Sequence, residues 1–293
     1  NWNLVGNPYP SAISASSFLT RNATNAVEPR VITGTVYLWR HLSAPSTIES
    51  NPFYGDFVYN YNPNDYITHN GTGSVPPNLF DGDIAAGQAF FVLMRESANA
   101  GSSSVTFNNA MRNETLDNSQ FFRTENSDES STAGDKHRIW LDLISPDNTA
   151  NAILVGYLDG ATEDFDDLYD AHELSETSAR FYSLVESTPL SIQGKALPFD
   201  DTDTVPLGIE IPQNGNYTIG INTVDGLFLD TEQAIYLEDT YNGIVHDLRV
   251  NPYSFNAEVG NYEDRFVLRY NDESLSVDEF NNAGLEIIAP NNA

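Results

Sequence analysis

Residues 204–222 read TVPLGIEIPQNGNYTIGIN and contain two short apolar runs, 204–211 and 215–222, separated by Pro-Gln-Asn. Short runs that Pro, Asn and Gly interrupt are typical of β-strands joined by turns. A helical period sustained over ten residues is hard to find along the chain. We therefore predict two strands, at residues 204–211 and 215–222.

The same pattern recurs on both sides of this stretch. In the second half, further strands are predicted at residues 138–144, 152–157, 180–184, 234–239, 244–248 and 265–270. In the first half, strands are predicted at residues 35–40, 57–61, 88–94 and 104–107, with one short helix at residues 11–20. Many short strands at this spacing indicate an all-β protein built from β-sandwiches of jelly-roll or immunoglobulin-like type.

Length and one polar stretch predict two such domains in tandem. The chain has 293 residues, and a domain usually holds about 100–200. Residues 124–136, TENSDESSTAGDK, contain no aliphatic residue larger than Ala, as is typical of a solvated linker. We predict an N-terminal β-rich domain at residues 1–125, a linker at 126–136, a C-terminal β-sandwich domain at 137–272, and a connector with a terminal strand at 273–293.

The charge of the chain excludes several classes of partner. Asp and Glu number 42 against 13 Lys and Arg, which gives a formal net charge of -29. Such a surface repels phosphate backbones and anionic lipid headgroups, so nucleic acid is excluded as a partner. No apolar run approaches the roughly 18 residues that a membrane span needs, so membrane insertion is not expected. The chain has no cysteine, which removes disulfides and Cys-ligated zinc.

An acidic cluster predicts a calcium site. Asp164, Asp166, Asp167 and Asp170 lie within seven positions of the sequence. Calcium takes about six to eight oxygen ligands, and neighbouring carboxylates on a loop supply several of them. The stretch lacks the glycine and the final glutamate of an EF-hand loop. We predict calcium as a cofactor at these four residues, and the alternative is solvated loop charge. Two smaller acidic clusters are Asp81 with Asp83, and Asp200 with Asp201 and Asp203.

No combination of residues points to catalysis. The five histidines are scattered, without a closely spaced pair or a metal-binding motif. The sequence also lacks a nucleophile elbow, a phosphate-binding loop and a dinucleotide fingerprint. A pair of carboxylates suited to a glycosidase would occur by chance among 42 acidic residues. We therefore predict that the chain is not an enzyme.

Several strings of the sequence resemble those of a group of bacterial surface proteins. They are NLVGNPYPS at residues 3–11, VYLW at 36–39, IAAGQAFFV at 84–92, RIWL at 138–141, VPLG at 205–208 and DRFVL at 264–268. Together they resemble the region that precedes the C-terminal sorting domain in Bacteroidota proteins exported by the type IX secretion system. The resemblance covers nearly the whole chain and implies an extracellular or outer cell-surface location. Members of that group continue into the sorting domain, of which only residues 285–293 are expected here.

These observations predict a non-catalytic extracellular surface module that serves adhesion, presentation or structural assembly of a larger exported protein. The alternative is a carbohydrate-binding module that accompanies a secreted polysaccharide-degrading enzyme. A sugar platform needs Trp or Tyr exposed on a sheet face or a loop rim, and this requirement separates the two hypotheses. The partners expected are other surface proteins, copies of the chain itself, or polysaccharide.

The last apolar run predicts a terminal strand. Leu285, Ile287 and Ile288 follow a polar, acidic stretch at residues 272–284. A lone strand must pair its backbone groups. It can pair with an edge of the same chain, or it can be added to the sheet of a neighbouring subunit by β-augmentation.

Overall fold

The computed structural model describes residues 2–23, 30–40, 65–96, 98, 103–112, 115–116, 118, 136–174 and 179–272. In these ranges β-strands predominate, and there is one α-helix, α1 (Ala15–Asn22). The prediction of an all-β protein is therefore confirmed. The same ranges contain no helix long and apolar enough to cross a membrane.

The first sheet has five strands. They are β1 (Trp2–Gly6), β3 (Ile32–Trp39), β4 (Tyr66–His69), β5 (Ser74–Val75) and β7 (Ala89–Met94). Their order across the sheet is β1-β7-β3-β4-β5. A separate two-stranded pair is formed by β2 (Ile13–Ser14) and β6 (Asp83–Ile84).

The two faces of the first sheet differ in what they contact. On the inner face, Phe90 meets Phe18 of α1 edge to face, with ring centroids 5.1 Å apart. The opposite face, here called the outer face, carries Trp2, Tyr37 and Trp39, because Trp2 pairs with Leu93 and Tyr37 with Phe91 in the ladder. The core of this unit therefore lies between α1 and the inner face.

The second sheet has eleven strands. They are β8 (Lys136–Ile144), β9 (Ala150–Leu158), β10 (Ala171–His172), β11 (Arg180–Val185), β12 (Thr188–Ala196), β13 (Thr204–Ile211), β14 (Gly215–Asp225), β15 (Tyr236–Asp239), β16 (Ile244–Asp247), β17 (Tyr253–Ala257) and β18 (Gly260–Arg269). Their order is β16-β15-β18-β13-β11-β12-β9-β8-β14-β17, and β10 also pairs with β12. Leu237 near one end of this order and Phe255 at the other end share a single core, so the sheet curls on itself toward a barrel.

Residues 204–222 form a corner of the second sheet. β13 and β14 are consecutive in the chain, yet β13 pairs with β11 and β18, whereas β14 pairs with β8 and β17. Val205, Leu207 and Ile209 all lie in the core, as expected for a strand with one buried face. The two predicted strands are therefore present. They do not pair with each other, and the turn between them connects two separate positions in the strand order of the second sheet.

Most predicted strands are confirmed with small changes of boundary, but one is wrong. Residues 104–107, predicted as a strand, join no sheet. Their backbone bonds a side chain instead, because the Thr106 N–H donates to Asn22 Oδ1 and the Thr106 carbonyl accepts from Asn22 Nδ2. The predicted strand at residues 57–61 lies outside the described residues.

The helix predicted at residues 11–20 begins later than expected. Ile13 and Ser14 pair with β6, and Ser14 then caps α1 by accepting a hydrogen bond from the Ser17 N–H at 3.1 Å. A serine that caps a helix in this way fixes its first turn. The sequence pattern does not predict the strands β2, β4, β5, β6, β10, β12 and β17.

The predicted domain boundaries fall largely on residues that the structure does not describe. Of the predicted linker at residues 126–136, Lys136 is described, and it is already the first residue of β8. The predicted connector and terminal strand at residues 273–293, including Leu285 to Ile288, lie outside the described residues.

Candidate functional site

The acidic cluster lies on a loop between β9 and β10 of the second sheet, and this loop contacts the first sheet. This acidic loop, residues 163–170, follows β9 and runs against β3 of the first sheet. Asp167 pairs with Arg30 at 3.0 Å and also with Arg95, both from the first unit. The Asp167 side chain is largely buried there. One of the four predicted calcium ligands is thus neutralised by two arginines that lie far away in the sequence.

Asp170 is the most buried carboxylate of the loop, with only 2% of its surface exposed. Its Oδ2 accepts the Asp166 N–H at 2.6 Å and its Oδ1 accepts the Gly194 N–H at 2.8 Å. Burial raises the pKa of Asp170 to about 7, against the opposing effect of these two backbone donors. Asp170 therefore ties the acidic loop to β12.

The other two carboxylates have separate surroundings. Asp166 Oδ1 accepts the Leu168 N–H at 3.0 Å, which forms a turn within the loop. Asp164 is exposed. Across the ranges that the structure describes, no three His, Cys, Asp or Glu side chains are grouped to hold a metal ion. Calcium binding by Asp164, Asp166, Asp167 and Asp170 stays a prediction.

The two smaller acidic clusters also serve local structure. Asp81 Oδ1 accepts the Asp83 N–H at 2.9 Å, and Asp200 Oδ1 accepts both the N–H and the hydroxyl of Thr202. These are the local side-chain turns that Asp favours in loops. Asp203 has a different environment, which it shares with Lys195.

A second contact between the two sheets is made by β8 and residues 70–74. We call the two contacts together the intersheet interface: the acidic loop and β8 lie on one side of it, and β3 and residues 70–74 lie on the other. Arg138 Nη1 donates to the Thr72 carbonyl at 3.0 Å, and Trp140 Nε1 donates to the Ser74 carbonyl at 2.8 Å. Thr72 Oγ1 in turn donates to the Tyr169 carbonyl at 2.7 Å. Buried hydrogen bonds from both units therefore hold the two sheets in one arrangement.

Close backbone approach explains a glycine at this interface. A Cβ atom on Gly34 would lie 2.6 Å from Leu168 Cα, closer than any side chain can approach a backbone atom. The Gly34 N–H donates to the Asp167 carbonyl at 2.7 Å. A residue larger than glycine in this position would push the acidic loop away from β3.

A buried ion pair links β15 and β18 near one end of the strand order of the second sheet. Asp239 is fully buried, and both of its oxygens accept hydrogen bonds from Arg265. Burial alone would raise the pKa of Asp239, but the hydrogen bonds from Arg265, Tyr253 and Asn242 outweigh it and hold that pKa below its usual value. The Arg265 guanidinium also lies 4.8 Å from the ring centroids of Phe255 and Phe266.

Lys195 is held between two carboxylates inside the second sheet. Its Nζ lies 2.5 Å from Glu163 Oε2 and 3.3 Å from Asp203 Oδ2. Tyr157 donates its hydroxyl hydrogen to the same Asp203 oxygen at 2.7 Å. Sequence reasoning named Asp203 and missed the other three, since they come from separate strands and loops. No sequence pattern pointed to Lys195, because the strand that carries it, β12, was itself not predicted.

Exposed aromatic rings lie on the outer face of the first sheet. Trp2 and Trp39 are 45% and 40% exposed, while Trp140 is buried at the intersheet interface. Trp2 meets the buried Tyr37 edge to face, with ring centroids 4.8 Å apart. The outer face therefore has the exposed aromatic residues that a sugar platform requires.

Comparison with known families gives one match. A family model described as a domain of unknown function, DUF8693, matches residues 1–270. The chain belongs to this family. The DUF8693 match takes in both sheets, and hence the acidic loop, the Lys195 cluster and the outer face. No curated protein and no solved structure matches the chain.

Proposed function

We propose that this DUF8693 chain is a non-catalytic structural module of an exported surface protein, acting in adhesion, presentation or assembly. The observation that carries the proposal is the intersheet interface. The groups at this interface that could do chemistry, such as Asp167 with Arg30 and Arg95, are paired with each other between the two sheets. A structural module holds neighbouring parts of a protein at a fixed distance and bears mechanical force. Two units that cannot rotate relative to each other suit this role.

The finer architecture belongs to the same proposal. We infer that the two sheets are two β-sandwich-type domains in tandem, each with its own core, as predicted from length and pattern. The separate hydrophobic clusters around Phe18 and around Phe266 support this division. A smaller cluster containing Trp140 and Val75 lies where the two units meet.

The location is proposed from the sequence motifs. Their resemblance to exported Bacteroidota proteins supports an extracellular or outer cell-surface position. The net charge of -29 supports it less directly, because a strongly acidic surface keeps a protein soluble and deters nonspecific association. Other surface proteins or further copies of the chain are the proposed partners, with the terminal strand at residues 285–288 as one means of attachment.

Calorimetry tests whether the module is rigid. A single unfolding transition is expected for the intact chain, because the interface couples the two units. Asp167→Ala leaves Arg30 and Arg95 without this carboxylate and should split or broaden the transition. The control is Asp164→Ala in the same loop, which is exposed and should leave the trace unchanged. Two independent transitions in the intact chain would contradict the proposal.

The absence of hydrolase activity needs its own assay. The chain is incubated with a broad panel of polysaccharides, and the release of reducing ends is measured. No release above a boiled control is expected. Release that disappears when one carboxylate is replaced would show that the chain is an enzyme.

Carbohydrate binding is a second candidate function, and the outer face favours it. Trp2 and Trp39 are exposed on one face of the first sheet, where sugar rings could stack on them. The negative charge of the chain favours neutral polysaccharides over anionic ones. Affinity electrophoresis in gels that contain neutral polysaccharide tests this. Trp2→Ala should abolish retardation, whereas Phe165→Ala, at an aromatic residue 41% exposed on the acidic loop, should not.

A further inference from the structure

The side chain of Lys195 points into the core of the second sheet, although lysine is rarely buried. Ile192 lies in the cluster between the two sheets. Lys195, three residues further along β12, lies on the opposite side, where its ladder partner Tyr157 belongs to the main core. Only 6% of Lys195 is exposed. The ammonium group is therefore removed from bulk water and surrounded by protein.

Each carboxylate beside Lys195 is oriented by its own hydrogen bonds. Glu163 contacts Lys195 through Oε2, while its Oε1 accepts the Ala196 N–H at 3.2 Å. Asp203 contacts Lys195 through Oδ2, while its Oδ1 accepts the Thr204 N–H at 2.8 Å. Both carboxylates are thus fixed relative to the Lys195 nitrogen atom.

Aromatic rings form a wall on the side of the cluster where Tyr157 donates to Asp203. Tyr157, Phe199, Phe228 and Tyr270 contact one another, and the ring centroids of Tyr157 and Phe199 are 4.9 Å apart. Such a wall limits the access of water to a bond that forms beside it.

We propose that this cluster is a self-modification site, at which Lys195 Nζ and Asp203 Cγ condense to an isopeptide bond with Glu163 carrying the proton. The proposal rests on this cluster alone and does not depend on the role proposed for the chain.

The reaction balances without any further reactant. Glu163 takes a proton from the Lys195 ammonium, and the neutral amine attacks Asp203 Cγ. A C–N bond forms, and the bond from Cγ to one carboxylate oxygen breaks. Two protons from the original ammonium leave with that oxygen as water, one of them delivered by Glu163. The products are a neutral amide and one molecule of water, and no oxidation or reduction occurs.

The hydrogen bonds around Asp203 suit this reaction. The Thr204 N–H on Oδ1 stabilises the negative charge that develops as the amine adds to Cγ. The Tyr157 hydroxyl on Oδ2 donates to the oxygen that leaves. Burial raises the pKa of Tyr157, so this hydroxyl keeps its proton. Holding amine and acid in contact replaces a slow encounter between two molecules by a reaction within one.

Glu163 is placed to exchange protons with the solvent. Its side chain is 59% exposed, while the Lys195 side chain that it contacts is 7% exposed. It therefore lies between the buried amine and water. Because Glu163 is exposed, it can be replaced without leaving a cavity in the core. Glu163→Gln is therefore the variant that tests its role in the reaction.

The test is the intact mass of the denatured chain after prolonged incubation. The wild-type chain should be lighter than its sequence by one water molecule. Chymotryptic cleavage after Phe199 should leave the two flanking peptides joined through Lys195 and Asp203. Lys195→Arg and Asp203→Ala should both have the full sequence mass. Glu163→Gln, checked for its fold by circular dichroism, should acquire the bond far more slowly than wild type.

The control is Glu173→Gln, which removes the carboxylate that pairs with Arg180 outside the cluster. It should lose one water molecule as fast as wild type. A wild-type mass equal to that of the sequence overturns the proposal and leaves an ordinary ion triad. A deficit that persists in Lys195→Arg also overturns it, because the water must then come from another residue. Unchanged kinetics in Glu163→Gln overturns the assigned role of Glu163.

Discussion

Replacing Asp170 with asparagine should remove a large part of the pH dependence of folding stability. Asp170 is almost fully buried, and its pKa in the folded chain is raised from 3.8 to about 7, chiefly by burial. A raised pKa means that the folded chain holds this proton more tightly than the unfolded chain does. The stability that follows is fully present below pH 3.8 and is lost as the pH rises through about 7.

The size of the effect follows from the pKa change. Each pH unit between the two pKa values removes about 1.4 kcal/mol from the free energy of unfolding. The whole interval therefore removes up to about 4 kcal/mol, a large share of the roughly 5–15 kcal/mol that holds a domain folded. The amide side chain introduced by Asp170→Asn does not titrate, so this part of the pH dependence should vanish in the variant.

Urea unfolding from about pH 4 to about pH 8 measures the difference. An amide at residue 170 can accept only one of the two N–H groups that Asp170 accepts, which costs about 1–3 kcal/mol at every pH. The slope against pH, rather than the stability at one pH, is therefore compared between wild type and variant. Asp164→Asn is the control, because the residue is exposed in the same loop. A slope for Asp170→Asn that equals that of wild type would refute the reasoning.

Three further predictions concern the buried ion pair, calcium and the terminal strand. Asp239→Ala should lower the free energy of unfolding by about 3–5 kcal/mol, since it leaves the buried Arg265 charge without its partner; a loss similar to that of Asp164→Ala in urea titrations would contradict this. Calcium should raise the thermal midpoint relative to chelator through Asp164, Asp166, Asp167 and Asp170, and identical midpoints at matched ionic strength would leave only charge screening. Deleting residues 281–293 should leave the mass by light scattering unchanged if the terminal strand pairs within the chain, and should lower it if the strand joins neighbouring subunits. An intact chain that is monomeric at high concentration would exclude assembly through that strand.

The sequence predicts the strands whose buried positions are mostly apolar in a long run, and it misses β12, whose buried face includes polar residues. β13 and β14 are confirmed because valine, isoleucine, leucine and, in β14, Tyr217 fill their core positions. β12 was missed because Gln193 and Lys195 are buried in it, and each breaks the apolar pattern. The run at residues 104–107 has strand-like composition, but Asn22 satisfies its backbone. Local composition does not reveal which partner a backbone group finds.

The candidate site shows the same limit. The acidic loop could be located from sequence, since its carboxylates are adjacent in the chain. The charges that meet Asp167 could not, because Arg30 lies 137 residues away and Arg95 lies 72 residues away. The Lys195 cluster was missed for the same reason, because Glu163, Asp203 and Tyr157 come from three different segments. Carboxylates that are adjacent in the sequence can be located from the sequence alone, whereas the basic residues that pair with them are found only once the fold is known.

The separation between Arg30 and the acidic loop also has a consequence for the order of folding. During synthesis, which starts at the N-terminus, the residues of the first sheet are made before Asp167, so this sheet can form before Asp167 is available to pair with it. Until then, the surface that will meet the acidic loop faces water. That surface includes the apolar Val75, but it also carries the carbonyls of Thr72 and Ser74 and the side chain of Asn70, which water can hydrogen-bond until the loop arrives. We expect the newly made first sheet to stay soluble, and to reach its full stability only after the acidic loop has been synthesised and has packed against it.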